Sequence, residues 1–163
     1  MLKHQRKPVS LSLISTDLPL WSGVETFATF YQRDCDRFHL LLSEPSIIDP
    51  IALAENQEVT TLPTAAPPRL LWLEIAPSRV IMTMQGNGKF SYRHLWERGV
   101  YGVSRYWLQS DSLRTSGQLR LRNYTRSLVL AGTFAAPQRL QVEYELWAAQ
   151  VPLGRYVLAV EIH

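Results

Sequence analysis

Cysteine is nearly absent. Cys35 is the only one, which excludes an internal disulfide and any zinc site built from cysteines alone. Lysine is almost as scarce, with three residues against fourteen arginines. No apolar run approaches ~18 residues, so no membrane-spanning helix is expected. The basic N-terminal stretch has neither the long apolar segment nor the small-residue cleavage site of a secretory signal, and the expected location is a reducing cytoplasm. The four histidines (His4, His39, His94 and His163) show no metal-ligand spacing, and no HExxH, P-loop or GxSxG pattern occurs. No metal or cofactor is expected, and the chain reads as a binding or accessory module more than as an enzyme.

What is present describes an ordinary globular chain. At 163 residues, 46% hydrophobic and 19% charged, it is long enough for one domain with a substantial core. Charge is distributed unevenly: residues 1–66 hold five Lys/Arg and eight Asp/Glu, whereas residues 67–163 hold twelve and six. Arginine favours flat, multidentate contacts with carboxylates and phosphates. The basic half therefore points to an acidic protein partner or a carboxylated or amphipathic small molecule, and the asymmetry also permits head-to-tail self-association into a homo-oligomer.

Along the chain, residues 9–14 alternate as a short strand. Ser22 and Glu25 form a capping-box pattern, and Val24, Phe27, Ala28, Tyr31, Cys35 and Phe38 recur at helical spacing, which predicts a helix over 23–37. On that helix Cys35 lies on the buried stripe and shares a face with His39, while Asp34 and Asp36 point different ways. Residues 1–43 are thus a strand and capping helix, and 44–68 is a loop with five prolines. Residues 69–163 read as strands throughout, with breaks at 110–111, 136–137 and 152–154. The expected fold is mainly β (α+β): an N-terminal helix plus a seven- to eight-stranded antiparallel meander, curled into a barrel or a sandwich.

The candidate site lies in the strands. Residues 79–126 carry nine basic groups against Glu97 and Asp111, with aromatic residues between them. An RNA-recognition strand is excluded at 98–103, because the first aromatic is missing and the second has the wrong parity. Sequence-tolerant binding of single-stranded nucleic acid remains an alternative. Asn87-Gly88 predicts a two-residue hairpin turn that places Thr83 opposite Tyr92, Ile81 opposite His94 and Arg79 opposite Trp96. Tyr92, His94 and Trp96 then form one aromatic face. In "QLRLR", Leu119 and Leu121 go inward and Arg120 and Arg122 outward. Glu143 and Glu145 are expected to pair with arginines on a neighbouring strand. The partner-binding set is Arg93, Arg105, Arg120, Arg122, Tyr92, His94, Trp96 and Tyr106, with no catalytic residue.

A helix followed by a curled antiparallel sheet resembles the calycin-type barrels, although the lipocalin Gly-x-Trp signature is absent near the first strand. That resemblance implies a second possibility, a ligand-handling barrel such as a tetrapyrrole chromophore-lyase-like protein. Its polar anchors would be His94 with Arg93 or Arg105.

Overall fold

From Arg69 onward the alternation of apolar and polar residues is nearly unbroken, and such a period suits a wall with one buried face. The computed structural model describes residues 4–16, 21–44, 69–86, 90–108 and 117–163. Among them are ten strands: β1 (His4–Ser15), β2 (Trp21–Asp34), β3 (Arg37–Glu44), β4 (Arg69–Ile75), β5 (Arg79–Gln85), β6 (Phe90–Glu97), β7 (Tyr101–Leu108), β8 (Gly117–Gly132), β9 (Pro137–Ala148) and β10 (Val151–Ile162). Each strand pairs antiparallel with its neighbours in sequence, and β10 pairs with β1 to close a barrel. This seam runs from Val9↔Ile162 to Ser15↔Tyr156, and the His163 amide donates to the Pro8 carbonyl at 2.9 Å. Closure leaves no open sheet edge. No helix among the described residues is long and apolar enough to cross a membrane.

The helix expected over 23–37 is instead β2 and the turn into β3. Its apolar positions fit a 3.6-residue period, but "TFATFY" (26–31) fits a period of two equally well, and its β-branched and aromatic residues favour extended backbone. Burial follows the period of two: Ala28 and Phe30 are buried while Phe27 is 54% exposed. Ser22 and Glu25 cap nothing; they stand opposite Leu13 and Ser10 of β1. Residues 34–37 form the β2–β3 hairpin turn, so Asp34, Cys35 and Asp36 are exposed and Cys35 shares no helix face with His39.

Residues 69–163 supply seven strands, and β1, β2 and β3 join the same sheet, so it has ten strands and not seven or eight. The sixteen residues of β8 form one strand, with a register shift between Thr125 and Ser127. Residues 152–154 are an irregularity inside β10; the turn before it is Ala149-Gln150, with Ala149 at φ 54°. The expected features at 45–68, 87–89 and 110–111 lie outside the described residues.

Ten strands enclose more space than the eight at which side chains just fill a barrel, and rings take up the difference. Short turns at residues 35–36, 76–78, 98–100 and 133–136 close one end, where Phe134 meets Phe38 edge-on at 5.9 Å. Aliphatic side chains such as Leu40, Leu73, Val80, Leu128, Leu140 and Val160 fill the middle and are fully buried. Toward the other end, where β5, β7 and β9 finish, the inward positions hold Tyr92, Tyr106, Tyr144 and Tyr156.

Candidate functional site

Side chains on a strand alternate across the wall, so neighbours in sequence fall on opposite sides of it. This parity divides the sequence-predicted set in two. Tyr92, His94, Trp96 and Tyr106 belong to the interior, whereas Arg93, Arg105, Arg120 and Arg122 are exposed on the outside. Arg93 and Arg105 therefore cannot anchor a ligand inside the barrel beside His94, which corrects that expectation.

The β5–β6 register also differs by one residue from the expected one. Met84 stands opposite Tyr92, Met82 opposite His94, Val80 opposite Trp96, and Arg79 opposite Glu97. Residues directly opposite share a face. The expected register would have turned Arg79, Ile81 and Thr83 inward with the aromatic row. The apolar series Val80, Met82 and Met84 goes inward instead, so hydrophobic pattern prevails over the turn signal.

Inside, His94 is the centre of a ring cluster. It stacks on Trp96 at 4.9 Å between centroids, and meets Tyr92 at 5.1 Å, Tyr106 at 5.5 Å and Tyr144 at 5.8 Å. Tyr144 in turn lies against Trp96 at 4.8 Å and Tyr156 at 5.5 Å. Asn123 Nδ2 donates to Ser104 Oγ (2.9 Å) and to the Leu95 carbonyl (3.1 Å), and Ser104 Oγ is 2.7 Å from His94 Nδ1. Ser104 Oγ thus links the Asn123 carboxamide to the imidazole. Burial pushes the His94 pKa down to about 4, so the ring is neutral at pH 7. Ser104 and His94 are both buried, so the pair is shielded from solvent. Trp96 Nε1, Asn123 Oδ1 and Thr125 Oγ1 are buried without a hydrogen-bond partner.

Gly102 makes this network possible. The Asn123 carboxamide reaches from β8 across β7 to Leu95 on β6, and a Cβ at residue 102 would collide with the Leu95 carbonyl oxygen and lie 2.9 Å from Asn123 Oδ1. The β6–β7 ladder ends at His94↔Ser104, just before this crossing.

Outside, Arg93 stands opposite Arg105, and Arg105 opposite Arg120, so three guanidinium groups form one row across β6, β7 and β8. Like charges in directly opposed positions repel. Among the described residues no carboxylate pairs with any of the three. Other arginines are neutralised: Arg126 and Arg155 both bind Glu145 Oε1, at 2.9 and 3.3 Å, and Arg139 meets Glu161 at 3.5 Å. The expected pairing of Glu145 thus holds. Arg122 is committed elsewhere, over the Tyr101 ring at 4.7 Å and donating to the Ala149 carbonyl at 3.0 Å. Leu121 is buried as expected, but Leu119 is 51% exposed at the tyrosine end. Among the described residues no His/Cys/Asp/Glu group could hold a metal ion. His39, far from Cys35's expected partnership, accepts a hydrogen bond from Trp72 Nε1 at 3.2 Å on the outer face.

Sequence reasoning missed Ser104, Asn123, Tyr144 and Tyr156 as members of the inner cluster. Tyr144 and Tyr156 were legible as inward positions; only closure of the sheet shows that they meet His94.

No protein-family model and no curated protein sequence matches the chain. Its fold is similar to that of the ywiB protein from Bacillus subtilis, whose crystal structure superposes with a TM-score of 0.56 at 12% identity, over 99% of this chain and 95% of that one. At that identity the likeness establishes a shared barrel fold.

Proposed function

We propose that this chain is a non-catalytic cytoplasmic binding module that holds an acidic, carboxylate-bearing partner on the outer face of β6, β7 and β8. The observation that carries this reading is the row Arg93–Arg105–Arg120, three opposed like charges without a carboxylate among the described residues. Their stems are about 5 Å apart, and carboxylates arriving between them relieve repulsion that the isolated fold tolerates. Arginine forks suit such bidentate contacts. A single-stranded nucleic acid is less favoured, because that mode needs stacking rings beside the cations. Tyr92, His94, Trp96 and Tyr106 are on the other side of the wall, and Tyr101 is engaged by Arg122 and Tyr124. That leaves Trp107, on the outer face next to Arg105, as the ring beside the row among the described residues, too few to stack successive bases.

The test is binding of a glutamate-rich peptide and of a single-stranded oligonucleotide to wild type and to the Arg93→Gln/Arg105→Gln/Arg120→Gln variant, across a salt series. The expected result is peptide binding about tenfold weaker in the variant at low salt, with a smaller difference at high salt. Equal peptide affinity in both proteins would discard the row as the site, and preferential binding of the oligonucleotide would replace the carboxylate reading with the nucleic-acid one.

A further inference from the structure

The interior has two chemistries, and only one of them is needed to hold a barrel together. Below His94 the inward residues are mainly aliphatic, with Trp96, Phe38, Asn123 and Thr125 among them, and nearly all are fully buried, as a packed core requires. Beyond it, four tyrosines converge, three of them (Tyr92, Tyr106 and Tyr156) only half-buried although they pack on the core from inside. Solvent therefore reaches the inner wall from this end. At the rim, Leu119 stands in the inward row opposite Tyr106, and Val151 is 60% exposed opposite Ala148, which packs on the core. Exposed apolar side chains beside half-buried phenols make a lining that takes a molecule with both apolar faces and hydrogen-bonding groups.

We propose that the tyrosine end of the barrel is a binding site for an uncharged, ring-containing small molecule, entered past Leu119 and Val151 and held among Tyr92, Tyr106, Tyr144 and Tyr156. Ring geometry supports a planar occupant. Tyr92 and Tyr106 meet at 6.0 Å and Tyr144 and Tyr156 at 5.5 Å, and the half-buried Tyr92, Tyr106 and Tyr156 keep ring surface on which a further aromatic face can pack. Charge selects against an ion. The cluster consists of phenols, an imidazole and an indole; burial, then the proximity of Tyr156, pushes Tyr106 up to about 12, and the His94 imidazole is neutral. An ionised group placed among them meets no counter-charge from the cluster and loses its hydration. Polar atoms around Tyr144 and His94 already exceed what the protein pairs: Trp96 Nε1 and Thr125 Oγ1 lack partners, on residues that touch or stand opposite Tyr144. This site is independent of the outer arginine row, since the barrel wall separates them.

N-phenyl-1-naphthylamine, a neutral aromatic dye, is the probe, titrated into the full chain with its fluorescence and energy transfer from tryptophan as readouts. Saturable one-to-one binding is expected. Leu119→Arg, a substitution at an exposed rim position, should weaken it about tenfold by placing a charge in the entrance. Tyr156→Phe should weaken it by a smaller factor through the lost hydroxyl, while the triple arginine-to-glutamine variant should bind the dye as wild type does. Absence of saturable binding to wild type overturns the proposal. So does equal affinity in Leu119→Arg with the fold intact by circular dichroism, since the dye would then be on an outer apolar patch. Neither outcome touches the carboxylate-binding reading, which is judged by the peptide.

Discussion

Burial holds the His94 imidazole neutral, so below its ordinary pKa of 6.5 the unfolded chain binds a proton that the folded chain does not take up until about pH 4. The unfolded state carries more protons across that window, and stability falls with pH there. The contribution is fully present above 6.5, about 2 kcal/mol of it is lost by pH 5, and the loss is complete below about 4. Urea midpoints at pH 7.5 and pH 5 should show this drop, and His94→Phe, though less stable at neutral pH, should flatten it. A wild-type midpoint unchanged between the two pH values would mean that the ring is accessible to protons in the fold. Gly102 is a second residue whose role rests on one contact. Gly102→Ala should cost about 2–3 kcal/mol, because the obstruction is Leu95 backbone, which cannot rotate away. A melting temperature within a degree or two of wild type would show that the wall can shift there. Cys35, in the exposed β2–β3 turn, should react with a thiol reagent as fast in native protein as in denatured; strong native protection would contradict the hairpin itself.

At the scale of elements, legibility depended on how many templates a segment satisfied. β9 and β10 fit only one: Leu140, Val142, Tyr144 and Leu146 face inward, as do Tyr156, Leu158, Val160 and Ile162, in agreement with their pattern. β2 satisfied two templates, and the helical one had a capping box in its favour. What decided the outcome was non-local, because β1 needs a partner along Leu11↔Val24 and Val9↔Thr26 that no reading of residues 21–34 alone can supply. The inner and outer candidate residues were identifiable one by one from parity, yet the arginine row was not, because it depends on the relative register of three strands. That row has its own consequence for the sheet. Arg105 lies between two like charges, so Arg105→Gln should leave stability unchanged or raise it by up to about 1 kcal/mol. A clear loss in chemical denaturation would show instead that Arg105 has a structural partner. Glu145→Gln should do the opposite, since one carboxylate serves Arg126 and Arg155 and accepts from Trp147 Nε1 at 3.2 Å.

For the whole molecule, nine of the ten ladders join strands adjacent in sequence, and the tenth joins the first strand to the last. Residue 9 must find residue 162 before the core can close, and loop-closure entropy of that length slows folding. Refolding followed by tryptophan fluorescence should fall in the millisecond-to-second range, and completion within microseconds would be incompatible with the seam forming in the transition state. The seam also sets the response of the barrel to force. β1 begins and β10 ends at the same end of the barrel, so tension applied between those two strand ends acts across the strands and not along them. The hydrogen bonds between Val9↔Ile162 and Ser15↔Tyr156 would then be loaded one after another, like the teeth of a zipper. A barrel closed by a continuous wall is therefore mechanically compliant along one line, and a pulling experiment should open it there at low tension, seam first.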